Sequence, residues 1–159
     1  MGVATDMLRA YVAPRAVFRA RLGPAPREDR ALVVLMAACL LIFVAQWPRL
    51  QREAMETGQE FQMLAGGALL GWLFFVPLAA YVIGTVTHMV AKPLGGSGTT
   101  YSARFALFWA LLVASPLWLL WGLMAGFIGP GTQLTIVGGI ALAAFVVHWS
   151  LNLWVAERS

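Results

Sequence analysis

The chain has 159 residues, of which 60% are hydrophobic and 11% carry a charge. A soluble domain of this size cannot bury so much apolar surface, so the composition excludes a water-soluble globular protein and indicates an integral membrane protein of one domain. The net charge of +4 comes mainly from arginines that precede the first hydrophobic run, which indicates a surface for anionic lipid headgroups and no binding of nucleic acid.

Residues 1–30 are predicted to be an Arg-rich, amphipathic segment on the cytoplasmic side of the membrane. Apolar residues from Met7 to Val12 share one helical face, and Pro14 begins a second short helix that Gly23 ends. A helix of this kind beside a membrane span can lie in the headgroup plane, while a solvated tail is the alternative. The candidate surface for lipid or a partner consists of Arg9, Arg15, Phe18, Arg19 and Arg21.

Four hydrophobic runs in the remaining domain, 31–159, are long enough to span a membrane, at about 31–47, 64–90, 105–128 and 134–155. Pro48 is expected to stop the first span, with a short surface helix around Arg52 and Glu56 beyond it. The predicted fold class is therefore all-α: a polytopic bundle of four transmembrane helices, or five, with an N-terminal amphipathic interfacial helix.

Basic residues are distributed unequally between the two sides of the predicted bundle. One side holds only Arg49 and Arg52. The other side holds nine basic residues: Arg9, Arg15, Arg19, Arg21, Arg27, Arg30, Lys92, Arg104 and Arg158. By the positive-inside rule, both termini and the glycine-rich loop after Lys92 are predicted to be cytoplasmic, in a multi-pass protein of a bacterial inner membrane.

Glycines and prolines in and between the spans are predicted to shape the bundle. Pairs of glycines four residues apart let helix backbones approach closely in lipid, and a proline inside a span usually bends it. A flexible loop near residue 96 is expected to join two helical hairpins, with the next arginine anchoring the third span. The residues predicted for loop formation and helix packing are Gly67, Gly71, Pro77, Gly95, Gly96, Arg104, Pro116, Gly122 and Gly126.

The spans carry no carboxylate, because no Asp or Glu occurs between Glu60 and Glu157. Proton-coupled transport and two-carboxylate hydrolysis both need such groups, so we predict no enzyme and assign no catalytic, cofactor-binding or metal-binding residue. One alternative stays open: His88 and His148 lie toward the cytoplasmic ends of two spans, and two imidazoles can clamp a haem iron.

Two short stretches carry a family resemblance. One is Pro14-Arg15-Ala16-Val17-Phe18-Arg19; the other is the loop sequence LGGSGT at 94–99, followed by a span that contains Pro116. They resemble the PRxxFR-like segment, the glycine-rich loop and the proline-containing helix of small bacterial Yip-family (Rab/Ypt-interacting-protein-like) membrane proteins. The resemblance implies an all-helical polytopic protein with a cytoplasmic N-terminus. Eukaryotic relatives bind small Rab/Ypt GTPases and shape membranes, but four spans and a short tail do not predict a GTPase partner here.

The functional prediction is a non-catalytic, Yip-like membrane protein that binds partners or organises the bilayer. Its expected partners are anionic lipid and either other membrane proteins or further copies of itself. Two alternatives remain: an accessory or assembly subunit of a larger membrane complex, and a transporter or channel for a small neutral or lipid-like solute.

Overall fold

The computed structural model describes residues 2–159, which fold into helices and connecting turns. Two short helices come first: α1 (Val3–Ala10) and α2 (Pro14–Leu22). The long helix α3 (Glu28–Thr57) follows, and then one continuous helix made of α4 (Phe61–Leu70), a π turn (Gly71–Phe75), α5 (Val76–Ala91) and a final 3-10 turn (Lys92–Leu94). The last two helices are α6 (Thr100–Phe127) and α7 (Thr132–Ala156).

Four of these helices are long and apolar enough to cross a membrane: Glu28–Thr57, Phe61–Leu94, Thr100–Phe127 and Thr132–Ala156. The prediction of an all-α bundle with four membrane-spanning helices is confirmed, and residues 2–159 contain no fifth helix of this kind. Three of the predicted spans lie inside these helices, and the third span, 105–128, runs one residue past the end of α6 at Phe127. The helices begin two to five residues before the predicted spans, since their first turns include polar residues that apolar runs do not mark.

Helix α6 lies at the centre of the bundle and packs against α3, α5 and α7. α3 and α6 run parallel to each other. Where both begin, Arg104 Nη1 donates to Glu28 Oε1 at 3.0 Å. Near their other ends, Arg52 Nη1 donates to the Gly126 carbonyl at 3.3 Å. We refer to these two levels of the bundle as the Arg104 end and the Arg52 end.

The apolar zone between these two ends has the thickness of a bilayer core. The part of α6 from Arg104 to Gly126 is about 33 Å long at 1.5 Å per residue, against a hydrocarbon thickness of roughly 30 Å. On the outer helices, apolar side chains such as Leu78, Val82 and Val147 are exposed, whereas Phe108 of α6 is fully buried. An apolar exterior around an apolar core is the pattern expected of helices that face lipid.

The two predicted GxxxG pairs have different surroundings. Gly122 and Gly126 lie in the contact between α6 and α3, where an added Cβ would overlap the Ala45 carbonyl or the ring of Pro48. At Gly67 on α4 and at Gly71, the first residue of the π turn, an added Cβ would meet no atom within 4 Å. The first pair therefore lets α3 and α6 approach closely, while the second pair has room for a side chain within residues 2–159.

Helix α3 does not stop at Pro48, and this prediction was wrong. The helix continues to Thr57, so the predicted surface helix is the last part of α3. Arg49 Nη1 donates to Glu53 Oε2 at 3.0 Å, and Arg52 Nε donates to Glu56 Oε1 at 2.8 Å. A proline removes only one backbone hydrogen bond, and these side-chain pairs support the turns that follow it.

Pro77 and Pro116, which were predicted to bend their spans, lie within continuous helices whose hydrogen bonding is adjusted around them. Pro116 has no N–H to give to the Leu112 carbonyl, and the Ser115 hydroxyl donates to that carbonyl at 2.6 Å instead. Pro77 follows the π turn, in which the Val76 N–H bonds to the Gly71 carbonyl. A π turn widens the helix by one residue and often accompanies such an irregularity.

Candidate functional site

Residues 3–22 form a helical hairpin in which α1 and α2 pack against each other around a turn at 11–13. Pro14 begins α2, and Gly23, with a φ of 71°, follows its last residue, both as predicted. Arg21 Nε donates to Asp6 Oδ2 at 2.6 Å, and a second guanidinium nitrogen of Arg21 contacts the same oxygen. Both side chains are largely buried, so this ion pair closes the hairpin opposite its turn.

The turn of the hairpin lies against the middle of the bundle. The Tyr11 hydroxyl donates to the Val113 carbonyl, halfway along α6, at 2.6 Å. His148 Nε2 lies 3.3 Å from the Ala10 carbonyl, and the ring centroids of Tyr11 and His148 are 5.0 Å apart in an edge-to-face arrangement. These contacts fix the end of α1 to both α6 and α7.

The rest of α2 extends from this turn toward the Arg104 end. Phe18 is fully buried, and its ring lies 5.9 Å from that of Phe105. From Phe105 to Val113 is about 12 Å along α6. The hairpin therefore lies along the flank of the bundle, from the Arg104 end to the middle, rather than across the end of the bundle.

The five residues predicted to form a surface for lipid or a partner fall into two groups. Phe18 belongs to the core, and Arg21 is paired with Asp6 and lies 5.5 Å from the centre of the Trp109 ring. The remaining three, Arg9, Arg15 and Arg19, have exposed side chains. The exposed face of the hairpin is therefore cationic, and the other two predicted residues attach the hairpin to the bundle.

The turn, together with the end of α1 that leads into it, presents apolar side chains. Val12 is 89% exposed and Leu8 is 71% exposed, which are large fractions for aliphatic residues. They lie beside Tyr11, at the level of the middle of α6. Exposed aliphatic groups at this level continue the apolar surface of the neighbouring long helices.

Trp154 of α7 has two guanidinium groups stacked on its ring. The Arg15 guanidinium carbon lies 4.6 Å from the ring centroid, and that of Arg158 lies 4.3 Å from it. Arg15 is in the first turn of α2 and Arg158 follows the end of α7, so this Arg15–Trp154–Arg158 stack joins the hairpin to the C-terminal residues.

The glycine-rich loop is fastened to the end of α7. The backbone N–H and the hydroxyl of Ser97 both donate to the Glu157 carbonyl, at 2.8 and 3.0 Å. Gly95 has a φ of 94°, and an added Cβ at Gly96 would lie 2.5 Å from Glu157 Oε2. The predicted loop joins two helices as expected, but these contacts make it a packed corner instead of a flexible turn.

Arg104 links three helices, which is consistent with its predicted role as an anchor. Its Nε donates to the Thr85 hydroxyl of α5 at 3.0 Å, and its Nη1 bonds to Glu28 of α3. Its guanidinium carbon also lies 5.4 Å from the centre of the Tyr81 ring. Arg104 itself belongs to α6, so the start of that helix is held to both neighbours at one level.

The two histidines have separate partners. His88 Nδ1 lies 2.9 Å from Glu157 Oε1. His148 Nδ1 lies 2.7 Å from the Ala144 carbonyl, and its Nε2 faces the Ala10 carbonyl. Both nitrogens of His148 thus face carbonyl oxygens, which does not fit the haem-clamp alternative. Residues 2–159 also contain no group of three or more His, Cys, Asp or Glu side chains that could hold a metal ion.

Sequence reasoning missed the contacts that attach distant segments. Glu157 follows the last predicted span, yet it is buried against His88, and Asn152 donates to the Ala106 carbonyl at 3.3 Å. A usable signal existed for Glu157 and His88, since both lie at the ends of predicted spans that finish on the same side of the bundle. No signal in the sequence identified the hydrogen bond of Tyr11.

No family model matches this chain, and no match was found for it among curated proteins or among solved structures.

Proposed function

We propose that this chain is a non-catalytic integral membrane protein that organises one leaflet of the bilayer by means of its N-terminal hairpin. We place it in a bacterial inner membrane with both termini in the cytoplasm, so the affected leaflet is the inner one. The Yip-family resemblance belongs to the same proposal, since membrane shaping is among the roles of that family. The observation that carries the proposal is the position of the hairpin along one half of α6.

A hairpin in that position widens the protein in one leaflet only. Its turn is held at Val113, and its open end lies near the Arg104 end, so it adds two helices to one half of the bundle. Amphipathic helices inserted into a single leaflet expand that leaflet and respond to membrane curvature. We therefore infer that the protein acts as a wedge in the inner leaflet.

The charges of the hairpin suit the same leaflet. Arg9, Arg15 and Arg19 are exposed on it, while its turn is apolar at Leu8 and Val12. Each arginine near an anionic membrane surface contributes about 1 kcal/mol of attraction. Long arginine side chains can extend from a buried helix toward the headgroups, so the apolar turn lies in hydrocarbon while the guanidinium groups reach the surface.

The test is the shape of liposomes that contain the full-length protein. We expect the wild type to shift liposomes toward smaller diameters or tubules, as measured by electron cryomicroscopy. Val12→Asp should abolish this shift, because an aspartate in hydrocarbon costs about 2.5–3.5 kcal/mol and drives the turn out of the bilayer. Met55→Asp is the matched control: it adds the same charge at an exposed side chain near the Arg52 end and should behave as the wild type.

Two results would contradict the proposal. One is a wild-type protein that leaves liposome shape identical to that of protein-free liposomes. The other is a Val12→Asp protein that deforms liposomes as strongly as the wild type. The position of the turn is measured separately in Cys39→Ala/Val12→Cys, where a fluorophore on the new cysteine should be quenched by lipids labelled in their acyl chains.

A further inference from the structure

The Arg15–Trp154–Arg158 stack places two positive charges against one ring. Because their guanidinium carbons lie 4.6 and 4.3 Å from the same centroid, the two carbons are no more than about 9 Å apart, well within the range of mutual repulsion. Each guanidinium gains a cation–π interaction with the indole, but this attraction leaves both charges in place. The stack is thus a local concentration of positive charge.

No acidic side chain of the described residues neutralises these two arginines. Neither Arg15 nor Arg158 forms an ion pair within residues 2–159. The carboxylate next in sequence, Glu157, is directed inward and contacts His88. A site with two guanidinium groups and no acidic side chain of residues 2–159 paired with either favours an anionic ligand and gives no side-chain partner to a choline or ethanolamine ammonium group.

The level of the stack identifies the source of that anion. Trp154 lies near the end of α7, where the Ala156 carbonyl accepts a hydrogen bond from Ser102 at the start of α6. Tryptophan favours the boundary between hydrocarbon and headgroups. Arg15 begins deeper, in the first turn of α2, and extends its side chain to this level. Both guanidinium groups therefore lie where phospholipid phosphates lie.

We infer that Arg15, Trp154 and Arg158 form a binding site for the phosphate of an anionic phospholipid. The inference rests on the proposed placement of the hairpin in the inner leaflet and names the lipid class that it contacts. Two guanidinium groups from separate segments hold one phosphate by charge-assisted hydrogen bonds. Since one arginine belongs to the hairpin and the other follows α7, the bound lipid also ties the hairpin to the C-terminal end of the bundle.

The test compares lipid affinity by native mass spectrometry of the full-length chain in detergent. Phosphatidylglycerol is titrated against phosphatidylcholine. Wild-type protein should bind phosphatidylglycerol more tightly, and Arg15→Gln and Arg158→Gln should each weaken that binding about tenfold, as expected for loss of a hydrogen bond to a charged group. Binding of phosphatidylcholine should not change. The loss of affinity in the double variant should be smaller than the product of the two single fold-losses, because both arginines hold the same phosphate.

Arg19→Gln is the matched control, because Arg19 is an exposed arginine of α2 that has no ion pair within residues 2–159. Because detergent has no anionic membrane surface, the general attraction of an exposed arginine to such a surface is absent, and Arg19→Gln should change the affinity for phosphatidylglycerol less than twofold. Equal losses in Arg19→Gln and Arg15→Gln would overturn the inference, since they would show general charge attraction. So would displacement of the lipid by an equal concentration of inorganic phosphate, which would show a site for a free anion.

This experiment separates the site from the proposed function. If the two glutamine variants lose affinity but Val12→Asp leaves liposome shape unchanged, the lipid site stands and the wedge function fails. If the wedge is confirmed but Arg15→Gln, Arg158→Gln and Arg19→Gln all bind phosphatidylglycerol as the wild type does, the wedge stands and the site is rejected.

Discussion

At the scale of single residues, close approach of two backbones makes Gly122 the most sensitive position in the contact between α3 and α6. An added side chain would overlap the Ala45 carbonyl, so Gly122→Val should reduce the free energy of unfolding by about 1–3 kcal/mol. Gly67→Val makes the same change in a glycine pair with open surroundings, and it should change the free energy of unfolding by no more than about 0.5 kcal/mol. Reversible unfolding in bicelles measures both; similar losses would show that the contact between α3 and α6 does not depend on this glycine.

Two buried or partly buried tyrosine hydroxyls differ in whether they form a hydrogen bond. Tyr11 donates to the Val113 carbonyl, whereas the buried Tyr101 hydroxyl has no hydrogen-bond partner within residues 2–159. Tyr11→Phe should destabilise the docking of the hairpin by about 0.5–1.5 kcal/mol, and Tyr101→Phe should be neutral or stabilising because it removes an unpaired polar group. Hydrogen exchange of residues 3–22 reports the first effect. Equal exchange in both variants would mean that the Tyr11 hydrogen bond contributes nothing to docking.

Single residues also show where sequence reasoning is limited. Gly67–Gly71 and Gly122–Gly126 have the same spacing, yet only the second pair lies in a helix contact within the described chain. Spacing predicts which backbones are able to approach, and the partner helix decides which of them do. Phe18 is similar: Arg15, Arg19 and Arg21 lie close to it in sequence, which favours a surface position, but Phe18 is buried and its ring packs near that of Phe105.

At the scale of elements, local signals were sufficient for helices and insufficient for their docking. Four apolar runs identified the long helices, and Pro14 and Gly23 marked the ends of α2 correctly. Pro48 does not end α3, because the ion pairs beyond it support the helical turns that follow. The path of α2 along α6 depends on contacts between residues far apart in sequence, and no periodicity within 3–22 contains that information.

The hairpin should behave as a unit that can be loosened without unfolding the bundle. Asp6→Asn removes the carboxylate that Arg21 contacts, so a largely buried guanidinium loses this ion pair. We expect hydrogen exchange of residues 3–22 to increase at least tenfold while exchange in α3 and α6 is unchanged. The exchanged pair Asp6→Arg/Arg21→Asp should restore part of the protection. An increase of exchange throughout the chain would contradict the independence of the hairpin.

At the scale of the whole molecule, composition and charge carried most of the prediction. A composition with 60% hydrophobic residues indicates a membrane protein, and four separate apolar runs indicate its four long helices. An even number of spans predicts that the segments before α3 and after α7 lie on one side of the membrane. Composition does not predict which of the four long helices is the most buried. α6 has the most buried residues because it packs against the other three long helices and the hairpin, although its mean hydropathy is equal to that of the exposed α7.

The orientation of the bundle is the last prediction, and it rests on the asymmetry of basic residues. In a Cys39→Ala background, Gln59→Cys reports the Arg52 end and Ala25→Cys reports the Arg104 end, since both positions are exposed. In intact bacterial cells whose outer membrane has been made permeable, a maleimide that cannot cross the inner membrane should label the Gln59→Cys protein and not the Ala25→Cys protein. Disruption of the inner membrane should allow both proteins to react. The opposite pattern would reverse the orientation, move the hairpin to the outer leaflet, and show that nine basic residues do not hold their end of this bundle in the cytoplasm.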